Sequence, residues 1–410
     1  MAEPRRTDAA VWLLLAVPAL LPFGGAAELP LLLGALLGLI AALRGRIDLR
    51  APSTRLALLM FAAYWLPELL SAYDAVAPRK SWTEVGTDLR FLPFLLFATH
   101  HLRDARRVRL AGSGIALLLA FWCADALVQA TTGWSLGGGA ESDRLSGIFG
   151  DDNLKLGGVI ATLAPFGLLL AWEHGGARAA LLAFVVVLAV VLLAGARAAW
   201  VSLALVTAWV LWRQLGARQG AYALLGVMGL ALGAGVVTNA LSPRFAERID
   251  RTATALGGDV TEFNYALAGR LPIWRTALAM SAAHPINGVG VRGFRYAYPE
   301  FAAANDPWVD RARGQGALHA HQLVLELLSE TGAFGLLCWL AGAVFAWRAW
   351  FRADATARAR AAAPAYALAA MLFPFNTHYA VYSTFWSLLL FTLLALWMSA
   401  LHARDETQSA

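Results

Sequence analysis

Long apolar runs separated by short polar gaps fill most of the chain. Segments such as ALLAFVVVLAVVLLAGA (180–196) are apolar on every helical face, a pattern that a soluble core of this size does not need. A bilayer crossing takes about 20 helical residues, so the runs predict about twelve membrane helices, several short or proline-interrupted. Their cores are 11–26, 29–43, 54–72, 86–101, 109–130, 154–173, 178–195, 198–214, 220–240, 317–350, 360–376 and 381–402. The predicted fold is all-α: a polytopic integral membrane protein, one transmembrane domain over 1–410. The stretch 241–316 forms its one long connection and carries short amphipathic helices. In that connection Arg244, Arg248 and Arg251 recur at helical spacing beside Phe245 and Ile249, as in a helix lying on a membrane surface. The run RTALAMSAAHPINGVGVRGF (275–294) then reads as a helix followed by a proline and glycine turn.

Charge orients this arrangement. Hydrophobic residues make up 59% of the chain and charged ones only 15%, so where each charge falls carries information. Arginines cluster in four connections: 44–55, 103–109, 213–218 and 348–360. All four fall on one side of the predicted bundle, which the positive-inside rule makes cytoplasmic, together with both termini. Apart from Lys80 and Lys155 the positive charge is all guanidinium, a fixed planar anion-binding group. No nucleic-acid partner is expected for charge placed at span ends. Cys123 and Cys338 both lie in apolar runs and read as small hydrophobes. Arg5, Arg6 and the run from Val11 to Phe23 could pass for a signal peptide; the spans that follow at once favour an uncleaved first helix.

The opposite side, the periplasm in a Gram-negative cell, receives Arg144, Lys155, Arg197, the turn around His378 and the long connection. Arg197 stands in AGARAAW between two apolar helices, where a snorkelling interface arginine and an anion ligand are the competing readings. Arg270 in LAGRLPIWRTAL opens a predicted helix, since Pro272 suits a first turn. A cation there opposes the helix dipole unless an anion shares the site. In DRLSGIFGDDNLKLGG (143–158), Asn153 is placed to cap the sixth span with Lys155 in its first turn, again a misplaced cation. Asp151 and Asp152 could be metal ligands, but no third acidic residue stands near them and the reading is a cap and solvated turn. No metal and no cofactor are expected.

Two histidines open the tenth run, GALHAHQLVLELLSETGAFGLL (316–337). On a helix His319 and His321 would point roughly 200° apart, which excludes a zinc pair and gives them separate roles. His321 leads a stripe through Leu325, Leu328 and Gly332. An imidazole titrating at about pH 6.5 beside outward arginines is a general base beside an anion hole; a structural histidine at a helix start is the alternative.

Four of these segments, taken in order, resemble the O-antigen ligase superfamily, which includes O-antigen polymerases and bacterial protein O-oligosaccharyltransferases. HAHQLVLELLSETGAFGLL is similar to its histidine-x-x-x-leucine, glutamate-x-glycine signature. AGARAAWVSL resembles its arginine-bearing turn, and GRLPIWRTALAMSAAHPINGVGVRGF its arginine helix and turn. RLSGIFGDDN is similar to an earlier motif. Gln322 stands where asparagine is more usual, and His319 doubles the histidine, so His321 is chosen by its distance to Leu325 and Gly332. The resemblance implies a GT-C-like membrane glycosyltransferase of the inner membrane. It would pass polysaccharide from undecaprenyl diphosphate to a lipid A-core sugar, with His321, Arg197 and Arg270 catalytic. Lys155, Arg144, His319, Arg275 and His378 would contact diphosphate or acceptor. A polymerase using the same donor is the nearest alternative. A transporter or flippase is the alternative of another class, though it would call for repeated halves that the sequence lacks.

Overall fold

A computed structural model describes residues 8–139, 144–150, 153–241, 246–247, 249–250, 254 and 259–404. Most of them are helical, as the all-apolar runs require. The first half contains α1 (Ala9–Leu20), α2 (Glu28–Leu43), α3 (Pro52–Ser71), α4 (Pro78–Asp88), α5 (Phe91–His101), α6 (Ala105–Thr132) and α7 (Leu156–Leu193). The second contains α8 (Arg197–Leu241), α9 (Val260–Ala266), α10 (Leu271–Ala283), α11 (Phe294–Phe301), α12 (Leu323–Arg352), α13 (Ala355–Arg360), α14 (Ala362–Met371) and α15 (Thr384–His402). Of the surface helix read around Arg244, Arg248 and Arg251, those three residues and Phe245 lie outside the described residues.

Among the described residues six helices are long and apolar enough to cross a membrane, not twelve. Two causes account for the difference. Helices such as α5 and α14 are shorter than a bilayer. In addition, four of the six carry an internal glycine at positive φ: Gly24 (62°), Gly176 (64°), Gly216 (75°) and Gly332 (66°). At Gly176 and Gly216 the chain reverses. A Cβ on Gly157 would sit 3.1 Å from Ala194, and Thr207 shares a groove with Leu224, so each of these helices is a hairpin of two arms. The boundaries drawn from the apolar runs at 173–178 and 214–220 fall at these reversals. Helix α15 is apolar all round and buried along nearly its whole length, packed on α3, α5 and α14.

Helix α12 is broken at Gly332 (φ 66°). Helix ends inside a membrane need backbone partners, and the turn 285–290 supplies them for both arms. Val289 and Gly290 donate to the carbonyls of Ser329 (2.8 Å) and Glu330 (3.0 Å), closing the first arm. Ala333 and Phe334 donate to Pro285 O (2.9 Å) and Ile286 O (3.0 Å), opening the second. The approach is so close that a Cβ on Gly332 would overlap the Ile286 carbonyl. The stripe from His321 to Gly332 is therefore not one continuous helix face: the helix begins at Leu323 and its first arm ends at Thr331.

Candidate active site

Three cations stand where helices begin. Lys155 immediately precedes α7, Arg197 is the first residue of α8, and Arg270 immediately precedes α10. Local chemistry fixes each start. The Asn153 amide accepts from Lys155 N (3.3 Å) and donates to Phe149 O (3.1 Å), so Asn153 builds the turn before the helix rather than capping it. The Asn264 side chain accepts from Leu271 N at 3.0 Å, satisfying an amide at the start of α10, and Pro272 follows in the first turn. The ammonium of Lys155 rests 4.4 Å over the Phe385 ring.

All three open into one cavity of about 1060 Å³, which Arg144, His319, His321 and His378 also line. Seven of the eight residues proposed from the sequence thus share a single space. Arg275 does not: it lies exposed on α10, away from the cavity. Five residues beyond Arg270 is roughly 140° around a helix, so the two guanidinium groups leave by different faces.

The histidine pair departs from the helical picture. His321 adopts φ 51°, in the left-handed region, so neither histidine is on a helix. Instead of diverging, the rings meet with centroids 3.9 Å apart, and His321 N donates to His319 Nδ1 at 3.2 Å. Behind them is buried Glu326, whose Oε2 lies 3.4 Å from His319 Nδ1 and whose Oε1 accepts from Val381 N at 2.9 Å. Gln322 caps α12 by accepting from Leu325 N (2.5 Å) and donates to Pro374 O (3.0 Å), tying this turn to the loop that carries His378. Within that loop Asn376 Oδ1 accepts from His378 N at 2.9 Å. Gly158 gives His378 its place: a Cβ there would come within 2.7 Å of the imidazole Cδ2.

Burial and cations act together on these groups. Burial, then Arg270 and Arg292, hold His319 down at about 4. Burial, then Arg270 and His319, bring His378 to about 4. His321 is lowered further, by burial first and then by His319 and Arg270. All three imidazoles are neutral at physiological pH and able to accept a proton or a hydrogen bond. Burial lowers Lys155, while burial, Arg197 and Arg144 lower Arg270, the mark of cations crowded together.

Residues 182–340 match the family model described as O-antigen ligase. The chain carries an O-antigen ligase domain. It takes in Arg197, Arg270, both paired histidines and the turn that seals Gly332, while Arg144, Lys155 and His378 come to the cavity from outside it. No curated protein matches the chain. The match over 182–340 and the long apolar helices support a multi-pass membrane enzyme of the O-antigen ligase and polymerase type.

Sequence reasoning missed Lys80, Arg292 and Arg295, which line the same cavity, and Glu326 behind it. Lys80 had a signal, being one of two lysines in the chain. Arg292 had one too, inside a motif already singled out. Among the described residues no three His, Cys, Asp or Glu side chains are grouped as a metal site requires. Asp151 and Asp152 lie outside the described residues.

Proposed function

We propose that the protein transfers O-antigen polysaccharide from undecaprenyl diphosphate to a sugar hydroxyl of lipid A-core. It would work from the inner membrane, in a GT-C-like bundle with the cavity on the periplasmic side and both termini cytoplasmic. One observation carries this reading: cations at three helix starts converge with neutral imidazoles in a single cavity. A diphosphate is already a good leaving group, so the enzyme must neutralise it as it departs and take a proton from the acceptor.

Arg197 and Arg270 do the first by charge-assisted, bidentate hydrogen bonds, with Lys155 and Arg144 assisting; the helix dipoles favour the same anion. His321 does the second. Its imidazole takes the acceptor proton as the acceptor oxygen bonds to the anomeric carbon and the carbon to diphosphate-oxygen bond breaks, inverting that centre. His319, with Glu326 behind it, holds the His321 turn in its left-handed form. His378 lines the acceptor's approach.

Cells lacking the protein test this reading on one lipopolysaccharide gel. Loss of polymer-capped lipopolysaccharide while undecaprenyl-linked polymer accumulates is the expected result. Single capped repeats would instead mark an O-antigen polymerase, which the family match accommodates. Unchanged lipopolysaccharide would remove both.

A further inference from the structure

The donor diphosphate engages the cations at the helix starts. Three other cations line the same cavity and are not among those assigned to the diphosphate above. They are Lys80 near the start of α4, Arg292 in the turn before α11, and Arg295 on α11. They come from parts of the chain distinct from those that carry Arg197 and Arg270. The described carboxylates near this group are Glu84, 3.8 Å from Arg292 Nε, and buried Glu326 and Glu330. All three act on Arg292 and Glu84 acts on Lys80 as well, but none accepts from the Nε of Arg295. The Nε of Arg295 is buried from solvent and has no hydrogen-bond acceptor. A buried guanidinium donor without an acceptor is costly, and a phosphate or carboxylate oxygen satisfies it best. No described carboxylate lines the cavity.

His319 connects the two groups, since it feels both Arg270 of the first and Arg292 of the second. The reacting hydroxyl must lie by the histidine pair, with the diphosphate toward Arg270. The acceptor's remaining bulk then extends toward the second group.

We propose that Lys80, Arg292 and Arg295 form a second anion site, which reads a phosphate or carboxylate borne by the acceptor sugar. This rests on the transferase reading above. It adds that the acceptor must be acidic, and that the enzyme recognises it through that charge.

The test uses the full-length protein in liposomes with undecaprenyl diphosphate-linked polymer as donor and two acceptors. One is polymer-free lipopolysaccharide; the other is the same material with its phosphates removed and its carboxyls amidated. The variant is Lys80→Gln with Arg295→Gln, which spares Arg292, whose backbone amide bonds to Glu330 and helps build the turn. The expected result is a KM for the native acceptor raised about tenfold or more, since charged hydrogen bonds are lost, with kcat little changed. On the neutralised acceptor variant and wild type should match, which also shows that the variant is folded. A native-acceptor KM within about twofold of wild type, equal losses on both acceptors, or a rise in donor KM instead would each overturn the second site. Failure of the wild type to transfer polymer to either acceptor would instead remove the transferase reading.

Discussion

Two arginine-rich cavities of similar size differ in what faces the guanidinium groups. One, of about 1250 Å³, is lined by Arg46, Arg103, Arg107 and Arg404 with Asp104 among them. Around it Arg107 pairs with Asp104 at 3.2 Å, and Arg106 grips both carboxylate oxygens of Asp8 at 2.8 and 2.9 Å. The other, slightly smaller, gathers Arg197, Arg270, Arg292 and Arg295 with three histidines and no described carboxylate in its lining. Volume and arginine content do not separate them. The difference lies in what lines the space beside the guanidinium groups: Asp104 in the first, imidazoles and no described carboxylate in the second.

The largest effect expected from this contrast concerns the histidines. His321→Ala should lower transfer by about 10²–10⁴-fold, the usual worth of a general base, whereas His319→Ala keeps a measurable rate. Equal, mild losses in both, measured with membrane abundance matched, would reduce the cavity to an anion-binding site.

Next comes the planar fork of arginine. Arg197→Lys and Arg270→Lys keep the charge but lose bidentate geometry, and each should cost about tenfold or more in kcat/KM. Arg106→Lys, in the carboxylate-paired region, serves as the internal contrast, with transfer changed by less than about twofold. Similar results at both ends would erase the distinction between the cavities.

A smaller effect is expected with pH. A histidine whose pKa is pushed down stays neutral until pH falls well below about 6.5, so kcat/KM should be level from pH 8 to about 5.5 and decline only below that. Bound diphosphate offsets the cations that push His321 and His319 down, so the decline in kcat should begin at higher pH than that in kcat/KM. Were the imidazoles neither buried nor crowded by cations, kcat/KM would fall near 6.5, which a stopped assay across a buffer series would reveal.

The smallest effect is expected with excess chelator, under which transfer should remain within about twofold, because arginines stand where metal-dependent transferases place carboxylates. Activity lost with chelator and recovered with magnesium would bring Asp151 and Asp152 in as ligands.

Much of this site was legible because electrostatic misfits are visible in sequence. A lysine or arginine at a helix start is unfavourable by the dipole alone, and that logic finds Lys155 and Arg270 from the residue order, while Arg197 stands out as an arginine in a tight turn on the outer side. Arg275 shows where proximity in sequence misleads, since a helix turns its neighbours onto different faces. The stacking of His319 on His321 was illegible: it depends on a left-handed backbone at a non-glycine residue, which no residue pattern announces. Lys80 reaches the cavity through tertiary packing, and Glu326 meets His319 only because of the non-helical turn before α12; periodicity carries neither. For the fold, helix positions followed from apolar runs. The reversals at Gly176 and Gly216 were legible as gaps between apolar runs, so each hairpin that the structure builds as one long helix counted as two predicted spans. Runs too short to cross a bilayer were counted as spans as well.

The seal at Gly332 also bears on biogenesis. The nine-residue arm from Leu323 to Thr331 is too short to cross a bilayer and cannot satisfy the carbonyls at its own end. Those partners are the amides of Val289 and Gly290, which leave the ribosome some forty residues earlier. The chain order thus delivers the clasp before the segment it must hold. The arm bearing the histidine turn can dock on a waiting surface as it emerges, without resting unsatisfied in lipid. Swapping the order of the two segments by circular permutation would reverse that sequence of events, leaving the broken helix exposed to the translocon and to quality-control proteases until its clasp was made.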